Sequence, residues 1–103
     1  MEGANVFEIL AEPNRRRILD LLRARPRSVG ELVEQSSLSQ PGISKHLRIL
    51  REAGLVEVSP VAQKHMYKLC AEPLAEIAHW LEPYRPFWSD KLDALVRHLD
   101  EEE

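Results

Sequence analysis

Hydrophobic residues recur with helical spacing in two adjacent stretches between residues 28 and 54. In the first stretch, Val29, Leu32 and Val33 fall on one side of a helix and predict a buried face. Ser28 precedes them and Glu31 follows it by three residues, a spacing that predicts a reciprocal capping box at the helix start. Because the pattern breaks at residues 36–38, we expect this helix to be short.

The second stretch begins at Ser39, which predicts an N-cap, and it carries Pro41 in the first turn, where a missing N–H costs nothing. Gly54 predicts the end of this helix, as a glycine with positive φ. One stripe of apolar side chains is expected to be buried: Ile43, Leu47 and Leu50. The side chains expected to point away from that stripe are Lys45, Arg48 and Glu52.

Two short runs with high strand propensity follow the second helix, at residues 55–58 and 66–69. The five residues 59–63 separate them and predict a hairpin whose turn is longer than two residues. Two helices joined by a tight turn and followed by a hairpin form the pattern of a winged helix-turn-helix.

Three segments then resemble the ArsR/SmtB family of bacterial winged-helix repressors, in the family's order and at its separations. They are LAEPNRRRILDLL at residues 10–22, SQPGISKHLRILREAGLV at 39–56 and KHMYKL at 64–69. The most specific pattern is Ser-x-Pro-x-x-Ser-x-His-Leu-x-x-Leu, formed by Ser39, Pro41, Ser44, His46, Leu47 and Leu50. With the later WLEPYRPFW run, the resemblance covers nearly the whole chain.

The resemblance implies a mostly α fold with a small β-hairpin, of the α+β class. It implies one domain over residues 1–103, with the helix-turn-helix at 28–54, the wing at 55–70, and dimerisation helices at 1–11 and 83–103. The implied function is that of a homodimeric, sequence-specific transcriptional repressor, whose 39–53 helix binds an inverted-repeat operator in double-stranded DNA.

The remaining helices are predicted from apolar spacing and prolines. A first helix ends near Ala11, a second opens at Pro13 and is stopped by Pro26, another starts at Pro73, and the last runs from about Pro83 to residue 99. The last helix has an apolar stripe that must be covered, and the first helix offers a matching face. The predicted dimer interface is therefore Phe7, Leu10, Tyr84, Phe87, Trp88, Leu92, Leu95 and Leu99.

The net charge of −3 is unevenly distributed along the chain. Residues 1–68 hold 11 basic against 8 acidic side chains, whereas residues 69–103 hold 3 against 9. DNA affinity depends on local phosphate neutralisation, so a basic face on an acidic protein is sufficient for binding. The modest basic excess predicts moderate non-specific affinity.

Candidate DNA-contacting residues follow from the helix-turn-helix spacing and the wing. They are Ser39, Gln40, Ser44, Lys45, Arg48, Arg51, Lys64 and Arg16. Three arginines at 15–17 lie in a first helical turn, where the helix dipole disfavours cations, so a phosphate contact competes with an ion pair to Glu12. His46 flanks the buried stripe and favours a structural hydrogen bond over base contact. The wing tip has Val61 and Ala62 but no arginine, which argues against strong wing contact.

Metal binding is not predicted, nor is a cofactor. The family's thiolate motif resembles Cys-x-Cys-Asp-Leu, and Ser28 and Gly30 stand at its two cysteine positions. On the last helix, His98 and Glu101 imitate half of the family's second site, but Asp90 is not followed by the required histidine, and half a site does not supply four ligands. A metal- or thiol-responsive repressor, with Cys70, His79 and His98 as the candidate residues, remains the alternative of the same fold.

Other function classes have weaker support. The chain has no glycine-rich phosphate loop, nucleophile elbow or zinc-hydrolase motif, so an enzyme is not predicted. A winged-helix protein-interaction module remains the alternative from another class, and salt-sensitive binding to duplex DNA distinguishes the two. A single cysteine, no long apolar run and no secretory leader lead us to expect a cytoplasmic protein.

Overall fold

The computed structural model describes residues 5–101, so residues 1–4 and 102–103 of the two predicted dimerisation ranges lie outside it. Within these residues, six α-helices and a three-stranded antiparallel sheet form the winged-helix arrangement that the sequence predicts. The elements are α1 Val6–Leu10, α2 Pro13–Ala24, β1 Arg27–Ser28, α3 Val29–Gln35, α4 Gln40–Glu52, β2 Val56–Val61, β3 Lys64–Leu69, α5 Ala75–Leu81 and α6 Arg85–Glu101.

Side-chain caps determine where the two central helices begin. The Ser28 hydroxyl accepts the Glu31 N–H at 3.2 Å, while the Glu31 carboxylate accepts the Ser28 N–H at 3.0 Å, so the predicted capping box is present. At α4 the Ser39 hydroxyl accepts the Gly42 N–H at 3.3 Å. Gly54 ends this segment with φ of 79°, as predicted for a C′ glycine.

The wing differs from the sequence prediction in its turn and in a third strand, β1, which pairs with β3. β2 and β3 are longer than expected and pair from Val56 with Leu69 to Val61 with Lys64, leaving a turn of two residues at 62–63. The predicted longer turn is therefore wrong. Pro60 lies within β2, which is an edge strand because the sheet order is β1-β3-β2, and an edge strand tolerates a residue without an N–H.

The last helix begins later than predicted. Pro83 lies in a 3₁₀ turn, Glu82–Tyr84, and α6 starts at Arg85. This start places Pro86 in the first turn of α6, where the N–H groups have no intrahelical partner, so the proline does not interrupt the helix.

The hydrophobic core is formed by α1, α2, α3 and α4 together with the start of the wing. Its most buried members include Leu32 of α3 and the predicted stripe of α4, together with Ile9 and Leu55, whereas Val29 and Val33 are only partly buried against them. The fully buried side chains are Ile9, Ile18, Leu32, Ile43, Leu47, Leu50 and Leu55. Burying the inner face of α4 fixes which of its side chains face solvent.

The α6 helix is not part of this core. The chain's radius of gyration is 16.5 Å, against about 13 Å for a compact domain of this length. Helix α6 keeps much of its apolar surface exposed: Phe87 at 75%, Leu92 at 48%, Leu95 at 53%, Val96 at 55% and Leu99 at 55%. An exposed apolar stripe of this length on one helix is typical of an association surface.

The capping box should make stability depend on acid pH. The Ser28 N–H and then the Arg25 guanidinium, 2.8 Å away, lower the pKa of Glu31 from 4.5 to about 2. A lowered pKa in the folded state gives stability that is complete above pH 4.5 and is lost as the pH falls toward 2. We expect Glu31→Gln to unfold at a lower temperature than the wild type at neutral pH, with the difference shrinking over that range.

Thermal unfolding followed by circular dichroism at a series of pH values measures this difference. Glu34→Gln is the matched control, because Glu34 is an exposed carboxylate on the same helix and has no place in the capping box. The same pH-dependent loss in both variants would contradict the assignment to the cap.

Candidate DNA-binding surface

Helix α4 presents a polar face to solvent because its opposite face is in the core. Ile43, Leu47 and Leu50 are at most 1% exposed, which leaves no freedom for the helix to rotate about its axis. The side chains predicted to contact DNA from this helix are all exposed: Gln40, Ser44, Lys45, Arg48 and Arg51. At 100° per residue, four of them form one row, Gln40, Ser44, Arg48 and Arg51, with Lys45 beside it.

The charges on this face are available to a ligand. Among the residues that the structure describes, Lys45, Arg48 and Arg51 take part in no ion pair. Three unpaired cations on one side of a helix, next to hydroxyl and amide groups, suit the phosphates and base edges of a DNA groove. Ser39 is also exposed, but its hydroxyl already accepts the Gly42 N–H.

The arginines at the start of α2 bind the end of α1. Arg16 donates from Nη1 to the carbonyl of Leu10 at 2.6 Å, and Arg15 donates from Nη1 to the carbonyl of Ile9 at 3.2 Å. Glu12 caps α2 through the Asn14 N–H instead of forming the ion pair considered from the sequence. These carbonyls explain why cations occupy a first helical turn; Arg16 is exposed, and its phosphate contact stays a prediction.

His46 makes the structural hydrogen bond that the sequence favours. Its Nδ1 accepts from Arg15 Nε at 3.3 Å, so the imidazole is neutral in this arrangement. Burial is the first cause that lowers the pKa of His46 below its ordinary value, and the charges of Arg15 and Lys45 add to it, against an opposing effect of Glu12. This contact links α2 to α4, and no short sequence pattern indicates it because its partners are 31 positions apart.

The wing forms a cleft with the end of α4. Arg51 lines this cavity of about 250 Å³ together with His65 and Tyr67 of β3 and residues 58–60 of β2. Lys64 is exposed at the start of β3, next to the turn. Lys68 lies at the other end of β3 and already pairs with Glu57 at 3.7 Å.

An aromatic cluster connects α1 with α5 and the 3₁₀ turn before α6. Trp80 lies edge-on to Phe7, with ring centroids 5.9 Å apart, and 5.1 Å from Tyr84. Trp80 is 55% exposed, and no local sequence pattern indicates its place in this cluster, because that place depends on how α5 packs beside α1. Leu10 packs partly against the core, and Trp88 is half-buried beside Arg85.

The cysteine and histidine positions do not form a metal centre within residues 5–101. No group of three or more His, Cys, Asp or Glu side chains in this part of the chain is arranged to hold an ion. Cys70 is half-buried, and burial first, followed by the Glu57 carboxylate, raises the pKa of its thiol. A raised pKa reduces the thiolate fraction, which is the form that reacts or binds metal.

None of the helices in the described residues is both long and apolar enough to span a membrane.

Comparisons with known proteins agree with the fold. Residues 12–58 match the family described as bacterial regulatory protein, arsR family. The transcriptional repressor SdpR of Bacillus subtilis is 35% identical over 77 residues, which are 75% of this chain and 86% of the relative. The HTH-type transcriptional regulator Rv2034 of Mycobacterium tuberculosis is 32% identical over 96 residues, 93% of this chain and 87% of the relative.

Solved structures extend the similarity to three dimensions. An ArsR-like transcriptional regulator from Rhodococcus superposes with a TM-score of 0.68 at 30% identity, covering 89% of this chain and 87% of that one. The transcriptional repressor BigR from Xylella fastidiosa gives a TM-score of 0.62 at 31% identity, covering 76% and 80%. The names in these comparisons are those of transcriptional regulators and not of enzymes.

Proposed function

Because the chain belongs to the ArsR family of bacterial regulatory proteins and is a DNA-binding transcriptional repressor, we propose that it acts as a homodimer on an inverted-repeat operator. The residues proposed to contact DNA are the α4 row with Ser39 and Lys45 beside it. Lys64 and Arg16 are proposed to add phosphate contacts. We further propose that it works in the cytoplasm, where its operator is accessible.

The observation that carries this proposal is the division of α4 into two faces. One face is completely buried, and the other presents Lys45, Arg48 and Arg51 without ion-pair partners among the described residues. The exposed Ser44 and Gln40 beside these cations add hydrogen-bonding groups, and phosphates with base edges are the partners that suit this combination. Three unpaired cations on one face of α4 therefore favour DNA over a protein-interaction role.

The proposed dimer rests on the apolar surface of α6 and on the aromatic cluster. The exposed apolar side chains of α6 lie outside the hydrophobic core of the described chain, and Phe7 with Trp80 and Tyr84 extends this surface onto α1 and α5. A two-fold axis through this surface pairs like with like, which is the usual geometry of a homodimer. It also keeps the acidic second half of the chain away from the phosphates.

Selection of binding sites from the source genome, followed by footprinting, tests the proposal. We expect protection of an imperfect inverted repeat whose half-sites are centred about 10–11 base pairs apart, or a multiple of that distance. We also expect affinity that falls steeply with salt concentration. Binding that is insensitive to salt and to DNA sequence would contradict it and favour the protein-interaction module.

Operator affinity should not respond to metal ions. Zinc, cadmium or arsenite in modest excess should leave it unchanged, because Ser28 and Gly30 stand where the family's thiolate motif has cysteines and Ser28 is engaged in the capping box. Fluorescence anisotropy with labelled operator, with and without each ion, measures this. A saturable release of DNA that a chelator reverses would refute the prediction, and Cys70 and His98 would then be the first residues to replace.

A further inference from the structure

Arg15 joins three elements that have different tasks in the proposed repressor. It belongs to the first turn of α2, and its Nη1 donates to the Ile9 carbonyl near the end of α1 at 3.2 Å. Its Nε donates to His46 Nδ1 on α4 at 3.3 Å. One guanidinium therefore touches both the helix that carries Phe7 of the proposed interface and the helix that carries the DNA-facing row.

The geometry of this bridge needs a guanidinium. Its N–H groups lie in one rigid plane and point in fixed directions, so two bonds to separate elements restrict the angle and distance between those elements. A lysine keeps the positive charge but ends in a single ammonium on a flexible stem, and it does not reproduce a planar two-element bridge. Arg15 is half-buried, which limits its access to solvent and strengthens both bonds relative to exposed ones.

We propose that Arg15 is a positioning residue, which holds α4 at a fixed orientation to α1 and thereby sets the operator spacing that the dimer prefers. This inference rests on the proposed function, because spacing has meaning only for two α4 helices on one operator. In each protomer a shift of α4 against the dimer surface changes the separation of the two DNA-binding faces. The bridge at Arg15 resists that shift.

Spacing preference is the measurement that separates positioning from a phosphate contact. It is the ratio of the dissociation constant for an operator with one base pair inserted between half-sites to that for the natural spacing. We expect Arg15→Lys to lower this ratio by about tenfold, the equivalent of one hydrogen bond to a charged group. Arg17→Lys is the control, since Arg17 is exposed on the same turn, and it should keep the wild-type ratio.

Variants at His46 test the other end of the bridge. His46→Leu removes the acceptor and should lower the spacing preference as Arg15→Lys does, whereas His46→Gln retains an acceptor oxygen and should preserve it. Combining Arg15→Lys with His46→Leu should cause little further loss, because both changes break the same contact. Thermal unfolding midpoints of each variant establish that the folded protein is being compared.

The outcomes are distinguishable. An unchanged ratio for both Arg15→Lys and His46→Leu would overturn the inference while leaving the proposed function intact. An equal loss of affinity for both spacings, with the ratio preserved, would also overturn it and assign Arg15 to phosphate contact. A wild-type protein that shows no spacing preference would instead defeat the proposed dimer on an inverted repeat, and the inference with it.

Discussion

Replacing Leu95 with glutamate is expected to yield a monomer that no longer binds its operator specifically. Leu95 lies at the centre of the exposed apolar stripe of α6, and 53% of its surface is exposed in the single chain. In a two-fold dimer the substitution places two charges in the interface, one from each protomer. Burying them makes the free energy of dimerisation less favourable by several kcal/mol. The helix-turn-helix itself is unchanged, so any loss of DNA binding comes from losing the second α4.

Sedimentation velocity and operator titration on the same samples measure both effects. Arg97→Glu is the control, because it places a glutamate on the side of α6 opposite Leu92, Leu95 and Leu99, and it should remain a dimer. A wild-type chain that is monomeric at micromolar concentration, or a Leu95→Glu variant that stays a dimer with full affinity, would refute the predicted interface.

Replacing Arg48 with alanine is expected to weaken specific operator binding by about 1–3 kcal/mol if its guanidinium contacts a base edge. Arg48 is exposed on the face of α4 opposite the buried stripe, and it has no ion-pair partner among the described residues. If it contacts only phosphate, affinity should fall evenly for all sequences and the slope of log affinity against log salt should drop by about one. The same two measurements, sequence dependence and salt slope, assign Lys45 to a base or to a phosphate when it is replaced with alanine.

Titrations with the operator and with a scrambled duplex, at several salt concentrations, distinguish the two patterns. Arg97→Ala provides the control, since it removes one positive charge from α6 on the side opposite the stripe and should leave affinity nearly unchanged. Unchanged affinity for both Arg48→Ala and Lys45→Ala would mean that this face of α4 does not contact DNA.

Local chemistry made the helix-turn-helix predictable. The caps at Ser28 and Ser39 and the glycine at 54 act within a few residues, and the buried stripe of α4 follows from a spacing of 3.6 residues per turn. Each of these signals agrees with the others, so the start, the end and the inward face of α4 were all correctly predicted. The polar face of α4 is then determined as well, because it consists of the side chains that are not buried in the core.

The wing was less predictable because strand pairing depends on residues far apart. Pro60 looked like part of a turn, but its position on an edge strand makes it acceptable within β2. Ala62 has a φ of 57°, a conformation that glycine and asparagine adopt more readily than alanine. The two-residue turn therefore lacks the residue types that usually indicate one. β1 has only two residues and pairs with Tyr67 and Met66 of β3, which no local pattern indicates.

The sequence by itself determined the order of the helices, the inward and outward faces of α4, the missing cysteines of the family's metal motif, and the presence of a surplus apolar stripe near the end of the chain. These features depend on neighbours within one or two turns, where spacing and capping decide the outcome. Only the tertiary structure decided that Arg15 joins α1 to His46, that Trp80 completes an aromatic cluster with Phe7, and that α6 stands clear of the core. Contacts between residues 31 or more than 70 positions apart depend on how whole elements pack, and packing is settled by the complete core and not by any local pattern.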